Sequence, residues 1–363
     1  MRQARSRTRD APHRQRSPSN APRCYASNLT ERMLALGAAP SEHSKNGRAL
    51  ACGTWQWGNR LLWGYSNSMD LELEHAFRVM KAHNCTFFDT GDSYGLGKYQ
   101  GRAESLLGQF SSRCPEPRTI AATKIAPYPN RVTSRSFFNA FSNSLKRISP
   151  NNECTAIAQV HWSTKPYLLG SSAQDRQMWD GLLRCYSEGL AASLGVSNYG
   201  PKQLKEVHDF LSRSGAPLLS VQAQFSLLSR KPEWTGLIEK AHELGVQVIG
   251  YSPLALGILP GKREQLPGLR RLGFQRALEN STALLELMSE IAAQHGEEIT
   301  LAQVALAWVC GKGVLPIVGF KSAEQAEQNA GAVNVVLTEG EMAELDAMSA
   351  RIPNVTQNPF TSD

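Results

Sequence analysis

The sequence contains four side chains that together could transfer a proton: Asp89, Tyr94, Lys124 and His161. A tyrosine phenol has a pKa of about 10 and is a poor acid at neutral pH. The ammonium group of Lys124 would lower that pKa, and Asp89 would offset the cost of burying the lysine. His161 could hydrogen-bond a substrate carbonyl and orient it. We therefore predict general acid catalysis in which Tyr94 donates the proton.

These four residues end predicted strands or lie in the loops that follow them. Short apolar or β-branched segments alternate with amphipathic helical segments from residue 49 onward, which is typical of parallel βα units. The predicted strands are residues 50–55, 86–89, 119–124, 155–161, 192–197, 218–224, 246–252 and 314–319, and the predicted helices are residues 71–81, 103–110, 136–147, 176–186, 201–211, 232–244, 283–294 and 301–310. Eight strands fill the body of the chain without a second domain. We predict an α/β fold, a single (β/α)8 TIM barrel over residues 49–350, with its chemistry at the carboxyl ends of the strands.

The main alternative architecture is a doubly wound nucleotide-binding sheet. Such a sheet normally has a G-x-G-x-x-G sequence at its first strand-to-helix turn, and this chain has none there. The glycines of the segment 95–97 are better explained by a turn. A complete phosphate-binding loop is also missing, although glycines and a lysine occur together in residues 257–262, after the seventh predicted strand.

Composition and charge exclude several classes of protein. The chain has 363 residues, of which 41% are hydrophobic and 20% charged, as in soluble globular proteins, and it has no apolar run long enough for a transmembrane helix. Residues 1–48 hold ten Lys/Arg and three Asp/Glu, whereas the remainder has 29 of each, so the net charge of +7 lies in the first segment. A neutral body does not favour nucleic-acid binding. The seven cysteines are scattered without metal-ligand spacing, so we expect neither a metal site nor a disulfide framework.

The two ends of the chain differ from the body. Residues 1–48 are rich in Arg and poor in acidic and apolar residues, so we predict a disordered segment with the composition of an organellar transit peptide. A non-specific extension or a misassigned start codon would have a similar composition. Residues 351–363 are predicted to be a C-terminal tail.

The motifs resemble the aldo-keto reductase family, and in particular its plastid-targeted plant and algal members. They occur in the family's order and spacing over about residues 49–350: FFDTGDSYG, the strand-ending Lys124, QVHWS, LGVSNYG, YSPLALGILPGK and IVGFKSAEQAEQNAGA. The resemblance implies a barrel that binds NADPH/NADP+ and reversibly reduces a small-molecule carbonyl, with Asp89, Tyr94, Lys124 and His161 as the catalytic tetrad. It also implies a plastid location, with the mitochondrion or cytoplasm as alternatives. We expect a monomer or a small homo-oligomer.

The resemblance implies a set of cofactor-binding residues as well. Ser197, Asn198 and Gln222 match the groups that hold the nicotinamide carboxamide, and Tyr251 matches the aromatic residue that stacks on the ring. The remaining members, from the first strand through the pyrophosphate loop to the adenosine end, are Thr54, Trp55, Ser252, Pro253, Leu254, Gly257, Lys262, Gly319, Lys321, Gln325, Gln328 and Asn329.

Lys321 suits a 2′-phosphate, so the resemblance favours NADPH over NADH. Three positions depart from the usual pattern of the family. Gln328 stands where an adenine-contacting Glu is usual, Pro260 stands where a Thr or Ser precedes Gly261, and Ala103 stands where a Ser is usual. None of the three belongs to the predicted tetrad.

Other interpretations of the same residues remain open. Each tetrad residue taken alone could be structural, for example Asp89 and Lys124 as an ion pair. Lys124 could also be the nucleophile of a Schiff-base aldolase, and some barrels of this family are NADPH-sensing regulatory subunits of membrane channels. Trp55, Trp57 and Trp162 could line an aromatic substrate pocket or pack in the core. The substrate would be selected by the loops 56–68, 125–133 and 260–280.

Overall fold

Eight parallel strands form a closed barrel in sequence order, as the (β/α)8 prediction required. The computed structural model describes residues 48–95, 97–131, 133–152, 154–164, 171–261 and 275–353. The predicted disordered segment, apart from Arg48, and the predicted tail from residue 354 lie outside these ranges. Among the described residues, no helix is long and apolar enough to cross a bilayer.

The observed strands match the predicted ones to within two residues at each end. They are β1 Ala51–Gly53, β2 Phe87–Gly91, β3 Thr119–Ile125, β4 Cys154–Val160, β5 Ser193–Ser197, β6 Leu218–Gln224, β7 Gln247–Tyr251 and β8 Leu315–Gly319. All eight are paired in parallel, and β1 pairs with β8 to close the ring. The carboxyl ends therefore open on the same side of the barrel.

All eight predicted helical segments are present, and others accompany them. The helices are α1 Arg60–Trp63, α2 Asp70–Ala82, α3 Arg102–Arg113, α4 Ser134–Ile148, α5 Ser172–Ser187, α6 Pro201–Ser212, α7 Lys231–Trp234, α8 Leu237–Glu243, α9 Gln275–Asn280, α10 Thr282–His295, α11 Leu301–Gly311, α12 Ala323–Ala330 and α13 Glu339–Ala350. The predicted helix 232–244 is two helices, because Gly236 adopts a left-handed conformation (φ 74°) between them.

The floor of the barrel is apolar. Side chains on one face of a strand recur every second residue, so the inward-facing residues form layers. The layer towards the amino ends is a buried cluster of Ala51, Phe87, Ile120, Ala122, Ile157, Leu219, Ile249, Leu315 and Ile317. Several of these side chains lie two residues before a predicted site residue on the same strand, as Phe87 precedes Asp89 and Ala122 precedes Lys124. The polar layer therefore rests on an apolar one.

Trp57 is a core residue and not a pocket residue. Its side chain is fully buried and packs against Phe88, Phe110 and Phe320, with ring centroids 5.5–6.4 Å away. The sequence left open whether Trp57 lines a substrate pocket or packs in the core, and the structure shows that it packs in the core. Burial of an aromatic side chain of this size contributes strongly to the stability of the wall between β1, α3 and β8.

Candidate active site

The centre of the polar layer is an ion pair between Lys124 of β3 and Asp89 of β2. The lysine Nζ lies 2.5 Å from the carboxylate, and both side chains are buried. A buried lysine needs a hydrogen-bonded partner of opposite charge, which Asp89 provides as predicted. Burial lowers the pKa of Lys124, and the negative charge of Asp89 opposes that change.

Two buried glutamines complete the surroundings of the Asp89 carboxylate. Gln222 Nε2 donates to Asp89 Oδ1 at 2.6 Å and to Gln159 Oε1 at 2.8 Å, and Gln159 Nε2 donates to Asp89 Oδ1 at 3.4 Å. Gln222 was predicted from the resemblance, but Gln159 was missed. The sequence does hold a signal for it, because Gln159 is an amide inside an otherwise apolar strand, two residues before His161 and on the same face.

Tyr94 lies over this pair in the loop after β2. Lys124 Nζ is 5.1 Å from the centroid of the phenol ring, and the His161 ring is 6.0 Å away. The loop is fixed by its backbone, since the Tyr94 N–H donates to the Gly91 carbonyl and the Tyr94 carbonyl accepts from the Gly101 N–H. Gly95 is required next to it, because a Cβ there would lie 1.8 Å from the carbonyl oxygen of Tyr99.

The electrostatics of Tyr94 differ from the expectation. Burial raises the pKa of Tyr94 well above its usual range, and the negative charge of Asp89 adds to that effect. The predicted lowering of this pKa by Lys124 is therefore wrong for this structure. The reason is that Asp89 largely neutralises the field of the ammonium group, so the cost of desolvating a phenolate dominates.

His161 is held as a neutral imidazole. Burial lowers its pKa well below the usual range, and the positive charge of Lys124 lowers it further. Its Nδ1 lies 3.3 Å from Ser93 Oγ, and its ring is tilted by 47° against the Trp162 ring, with centroids 4.4 Å apart. A neutral histidine at this position can donate a hydrogen bond to a carbonyl oxygen without carrying a charge.

The predicted nicotinamide residues gather beside His161. The Tyr251 hydroxyl donates to Asn198 Oδ1 at 2.7 Å, while Asn198 Nδ2 donates to the His161 carbonyl at 3.0 Å and to Ser197 Oγ at 3.1 Å. Asn198 has a positive φ of 63°, which asparagine tolerates better than most residues. The ends of β5 and β7 are thereby joined to the end of β4.

The predicted pyrophosphate loop turns sharply after β7. Ser252 has a φ of 52° and accepts a hydrogen bond from the N–H of Ala255, and the Gly257 N–H donates to Leu254. Pro253 lies between these residues. Lys262, the remaining member of this loop, falls outside the described residues.

The predicted adenosine end is built from the start of α12. Gln325 Oε1 accepts from the Lys321 N–H at 2.9 Å, and Asn329 Nδ2 donates to the Gly319 carbonyl at 3.4 Å. Gln328 is half-buried on α12, and its side-chain amide donates to Glu324. Glu72 was missed by the sequence analysis and lies at the same place, where it accepts from the Ala323 N–H at 2.8 Å.

The end of β1 completes this side of the barrel. Thr54 Oγ1 donates to the Asp89 carbonyl at 3.0 Å, which fixes β1 against β2. Gln56 was also missed, and its amide covers Gly319 so closely that a Cβ at that glycine would lie 1.9 Å from Gln56 Nε2. A side chain at position 319 would therefore require the Gln56 amide to move.

Aromatic side chains occur on two sides of the mouth. Trp55 and Trp63 meet edge to face with centroids 5.8 Å apart, and Tyr128 meets Trp162 in the same way at 6.3 Å. The second pair is fixed by Arg131, which lies over the Tyr128 ring and forms an ion pair with Asp92. Of these residues the sequence analysis named only Trp55 and Trp162.

Within the described ranges no cluster of His, Cys, Asp and Glu side chains is suited to holding a metal ion. The described cysteines are free thiols. Burial raises the pKa of Cys85 to about 12, which makes it a poor nucleophile.

Comparison with known proteins places these features in a family. A family model described as the aldo/keto reductase family matches residues 49–350. The chain is 43% identical to the chloroplastic pyridoxal reductase of Arabidopsis thaliana, over 85% of each protein. It is 25% identical to L-glyceraldehyde 3-phosphate reductase of Escherichia coli K12, over 82% of this chain and 88% of that protein.

A solved structure supports the fold independently. The crystal structure of a thermostable aldo-keto reductase, in complex with the inhibitor epalrestat, superposes with a TM-score of 0.64. It is 24% identical in sequence and covers 85% of this chain and 97% of its own. At this level of identity the likeness concerns the barrel alone.

Proposed function

Because the chain belongs to the aldo/keto reductase family, we propose that it is an NADPH-dependent reductase that converts an aldehyde or ketone to the alcohol. The observation that carries this proposal is the buried Asp89–Lys124 pair beneath Tyr94, with a neutral His161 beside the phenol. These are the groups that protonation of a developing alkoxide requires. The proposal also includes the plastid as the site of action, since the relative from Arabidopsis is chloroplastic.

The residues of the barrel mouth fit a nicotinamide dinucleotide. Both N–H bonds of the Gln222 amide are used within the polar layer, and its carbonyl oxygen has no partner among the described residues. That oxygen can accept from a carboxamide N–H, and the Ser197 hydroxyl can still donate. Gln222, Ser197 and Tyr251 would hold the nicotinamide, and Lys321 would hold the 2′-phosphate. When bound, the dinucleotide supplies the hydride.

The protein's own residues supply the proton and the orientation. Tyr94 is protonated at neutral pH because burial and Asp89 disfavour the phenolate. It can donate to a substrate oxygen as negative charge develops there, since an alkoxide binds a proton more tightly than a phenolate does. His161 donates a hydrogen bond to the same oxygen, and Lys124 lies close enough to stabilise the tyrosinate that remains.

We further propose that the substrate is a flat aromatic aldehyde of the pyridoxal class. The name of the Arabidopsis relative suggests such a substrate, and the paired aromatics in the loops after β1, β3 and β4 offer flat apolar surfaces, one of which, Trp162, lies 4.4 Å from the His161 ring. Ring stacking on these walls would favour an aromatic aldehyde over an aliphatic one of the same length.

The substrate proposal is tested by NADPH oxidation, followed by absorbance, with pyridoxal, benzaldehyde and a straight-chain aldehyde. We expect the aromatic aldehydes to have the higher kcat/KM, and Trp55→Leu to reduce that preference. Equal kcat/KM for all three would contradict the aromatic substrate while leaving the reductase intact. If bound NADPH is oxidised by no carbonyl at all, the regulatory alternative gains support.

The aldolase alternative is less compatible with the geometry. A Schiff-base nucleophile must be an uncharged amine. The Asp89 carboxylate contacts Lys124 Nζ through both oxygens, and attack of this amine on a carbonyl would have to break the buried ion pair. Borohydride treatment in the presence of an aldehyde should therefore leave Lys124 unmodified, which mass spectrometry of the digested protein would check.

The preference for NADPH is tested at Lys321. Lys321→Glu should weaken NADPH binding about ten- to a hundredfold and NADH binding much less, since a charge-assisted hydrogen bond is worth about 1.5–3 kcal/mol. Lys146→Glu makes the same charge change on the exposed end of α4 and serves as the control. Fluorescence titration measures both affinities. Equal losses for the two nucleotides would show that Lys321 does not select the 2′-phosphate.

A further inference from the structure

Gln159 of β4 is completely buried inside the barrel, where a polar side chain is costly unless it is hydrogen-bonded. Its register neighbours are Lys124 on β3 and Gly195 on β5. We propose that Gln159 is a positioning residue for the reaction: it fixes the amide of Gln222 towards the nicotinamide and links the cofactor site to the Asp89–Lys124 pair. This inference rests on the proposed reductase function.

The first argument is the hydrogen-bond count at Gln222. Its Nε2 donates to Asp89 Oδ1 at 2.6 Å and to Gln159 Oε1 at 2.8 Å, and these contacts use both N–H bonds of the amide. If the amide were reversed, its oxygen would face two other oxygens. The orientation is therefore set jointly by Asp89 and Gln159, and the carbonyl of Gln222 is left for an external donor.

The second argument concerns the negative charge on Asp89. Its Oδ1 accepts from Lys124 at 2.5 Å, from Gln222 at 2.6 Å and from Gln159 at 3.4 Å. Hydrogen bonds to a buried carboxylate compensate for its lost hydration. Gln159 both donates to Asp89 and accepts from Gln222, so it joins the carboxylate and the cofactor-facing amide in one network.

The third argument is the space that β5 leaves for this side chain. A Cβ at Gly195 would lie 3.0 Å from Gln159 Cγ, 3.1 Å from Gln159 Oε1 and 2.9 Å from Ser220 Oγ. Glycine at position 195 thus provides the room in which Gln159 reaches Asp89. The Ser220 hydroxyl is buried and has no hydrogen-bond partner among the described residues, so it does not help to hold Gln159 in place.

The experiment compares Gln159→Leu with Gln247→Leu in the full chain. Gln247 is a matched control because its amide donates only to backbone carbonyls near the amino end of β7. We expect Gln159→Leu to weaken NADPH binding about tenfold and to lower kcat by a similar factor, the loss usual for hydrogen bonds in such networks. Gln247→Leu should change only the urea midpoint.

A second variant distinguishes a positioning role of Gln159 from a role in packing alone. Gln159→Glu keeps the shape but places another carboxyl group beside Asp89, which cannot share the site without an additional proton. We expect its kcat to fall with rising pH through an ionisation that neither the wild type nor Gln159→Leu shows. A pH profile identical to that of the wild type would overturn the inference.

Gly195 offers a test that leaves Gln159 itself unchanged. Ser220→Ala alone should have almost no effect, since that hydroxyl makes no hydrogen bond to a described residue. Adding Gly195→Ala then introduces a methyl group that presses mainly on Gln159, and NADPH binding should weaken as in Gln159→Leu. Unchanged NADPH affinity in both Gln159→Leu and this double variant would overturn the positioning role. A wild-type protein that binds no NADPH would overturn the proposed function as well.

Discussion

Tyr94 keeps its proton in this structure because partial burial of its phenol and the negative charge of Asp89 both disfavour the phenolate. The buried Asp89–Lys124 ion pair therefore has a different role from the one expected from the sequence. It does not make the free phenol more acidic. It provides an ammonium group 5.1 Å from the centre of the ring, which can stabilise the charge that the phenol acquires when its proton leaves.

The first prediction concerns the proton donor. Tyr94→Phe removes the hydroxyl and keeps the ring, so turnover should fall about 10²–10⁴-fold, the usual contribution of general acid catalysis. NADPH affinity should persist. Steady-state kinetics and fluorescence titration measure the two quantities, and Tyr186→Phe on the outer helix α5 controls for the loss of a hydroxyl.

Lys124→Met should lower turnover as far as Tyr94→Phe, because it removes the stabilising charge and leaves Asp89 unpaired. The double variant should be little worse than either single one, since both act on one proton-transfer unit. Near-normal turnover of a good aldehyde by Tyr94→Phe would contradict the mechanism. Additive losses would show that the two residues act separately.

The second prediction concerns the stability of the neutral His161. The folded protein disfavours protonation of this buried imidazole, whereas the unfolded chain binds a proton below pH about 6.5. Stability from this group is therefore complete above that pH and decreases as the pH falls towards the folded pKa. In His161→Gln the loss of stability between pH 7.5 and 5.5 should be smaller by about 1 kcal/mol.

Urea unfolding at the two pH values measures this difference. His75→Gln on the exposed face of α2 is the control and should behave as the wild type does. If His161→Gln loses as much stability on acidification as the wild type, the imidazole is not held neutral by the fold.

Gly108 allows two of the barrel helices to pack closely together. A Cβ at this position of α3 would lie 2.1 Å from the carbonyl oxygen of Arg147 on α4. The same two helices are joined by the buried Glu104, which is paired with Arg147 and bonded to Thr123 next to Lys124. The spacing of α3 and α4 therefore affects the position of Lys124, the proposed catalytic lysine.

The third prediction follows from that close contact. Gly108→Ala should destabilise the protein by about 1–3 kcal/mol or more, because the rigid backbone of α4 must move. Gly340→Ala on α13 is the matched control, since a Cβ there meets nothing nearer than 3.9 Å and should be neutral or slightly stabilising. Thermal unfolding compares the two. If Gly108→Ala leaves the unfolding temperature unchanged, the two helices can move apart without loss of stability.

Particular elements explain what sequence reasoning found and what it missed. The strands were predictable because β-branched and apolar runs end in polar residues such as Asp89 and Lys124. Helix α12 was missed because it is short and polar, and α13 because its apolar residues have a weak helical period, although Ser322 and Thr338 cap them. Contacts such as Gln56 on Gly319 depend on the closing of the barrel between β1 and β8, which no local pattern encodes.

At the scale of the whole molecule, the barrel begins almost at the first described residue. β1 starts at Ala51, and Leu50 is already buried. The fourth prediction is that removal of residues 1–45 leaves folding and activity intact, because no strand or helix of the barrel is cut. The yield of soluble protein, the unfolding temperature and the NADPH affinity measure this. Insoluble truncated protein would contradict it.

The role of the removed segment is tested separately. If residues 1–48 are a transit segment, their fusion to a fluorescent protein should direct it to plastids, as expected from the chloroplastic relative. A fluorescent protein that stays in the cytosol would remove the transit interpretation. The activity of the barrel would be unaffected by either result.

The apolar floor of the barrel has a consequence for proton supply. Phe87, Ile120 and Ile157 close the described barrel beneath Asp89 and Lys124, so bulk water reaches this pair from the mouth. Substrate and cofactor would enter by the same route and cover it. The proton that Tyr94 is proposed to donate would then have to be taken up from solvent before the ligands bind and cover the site.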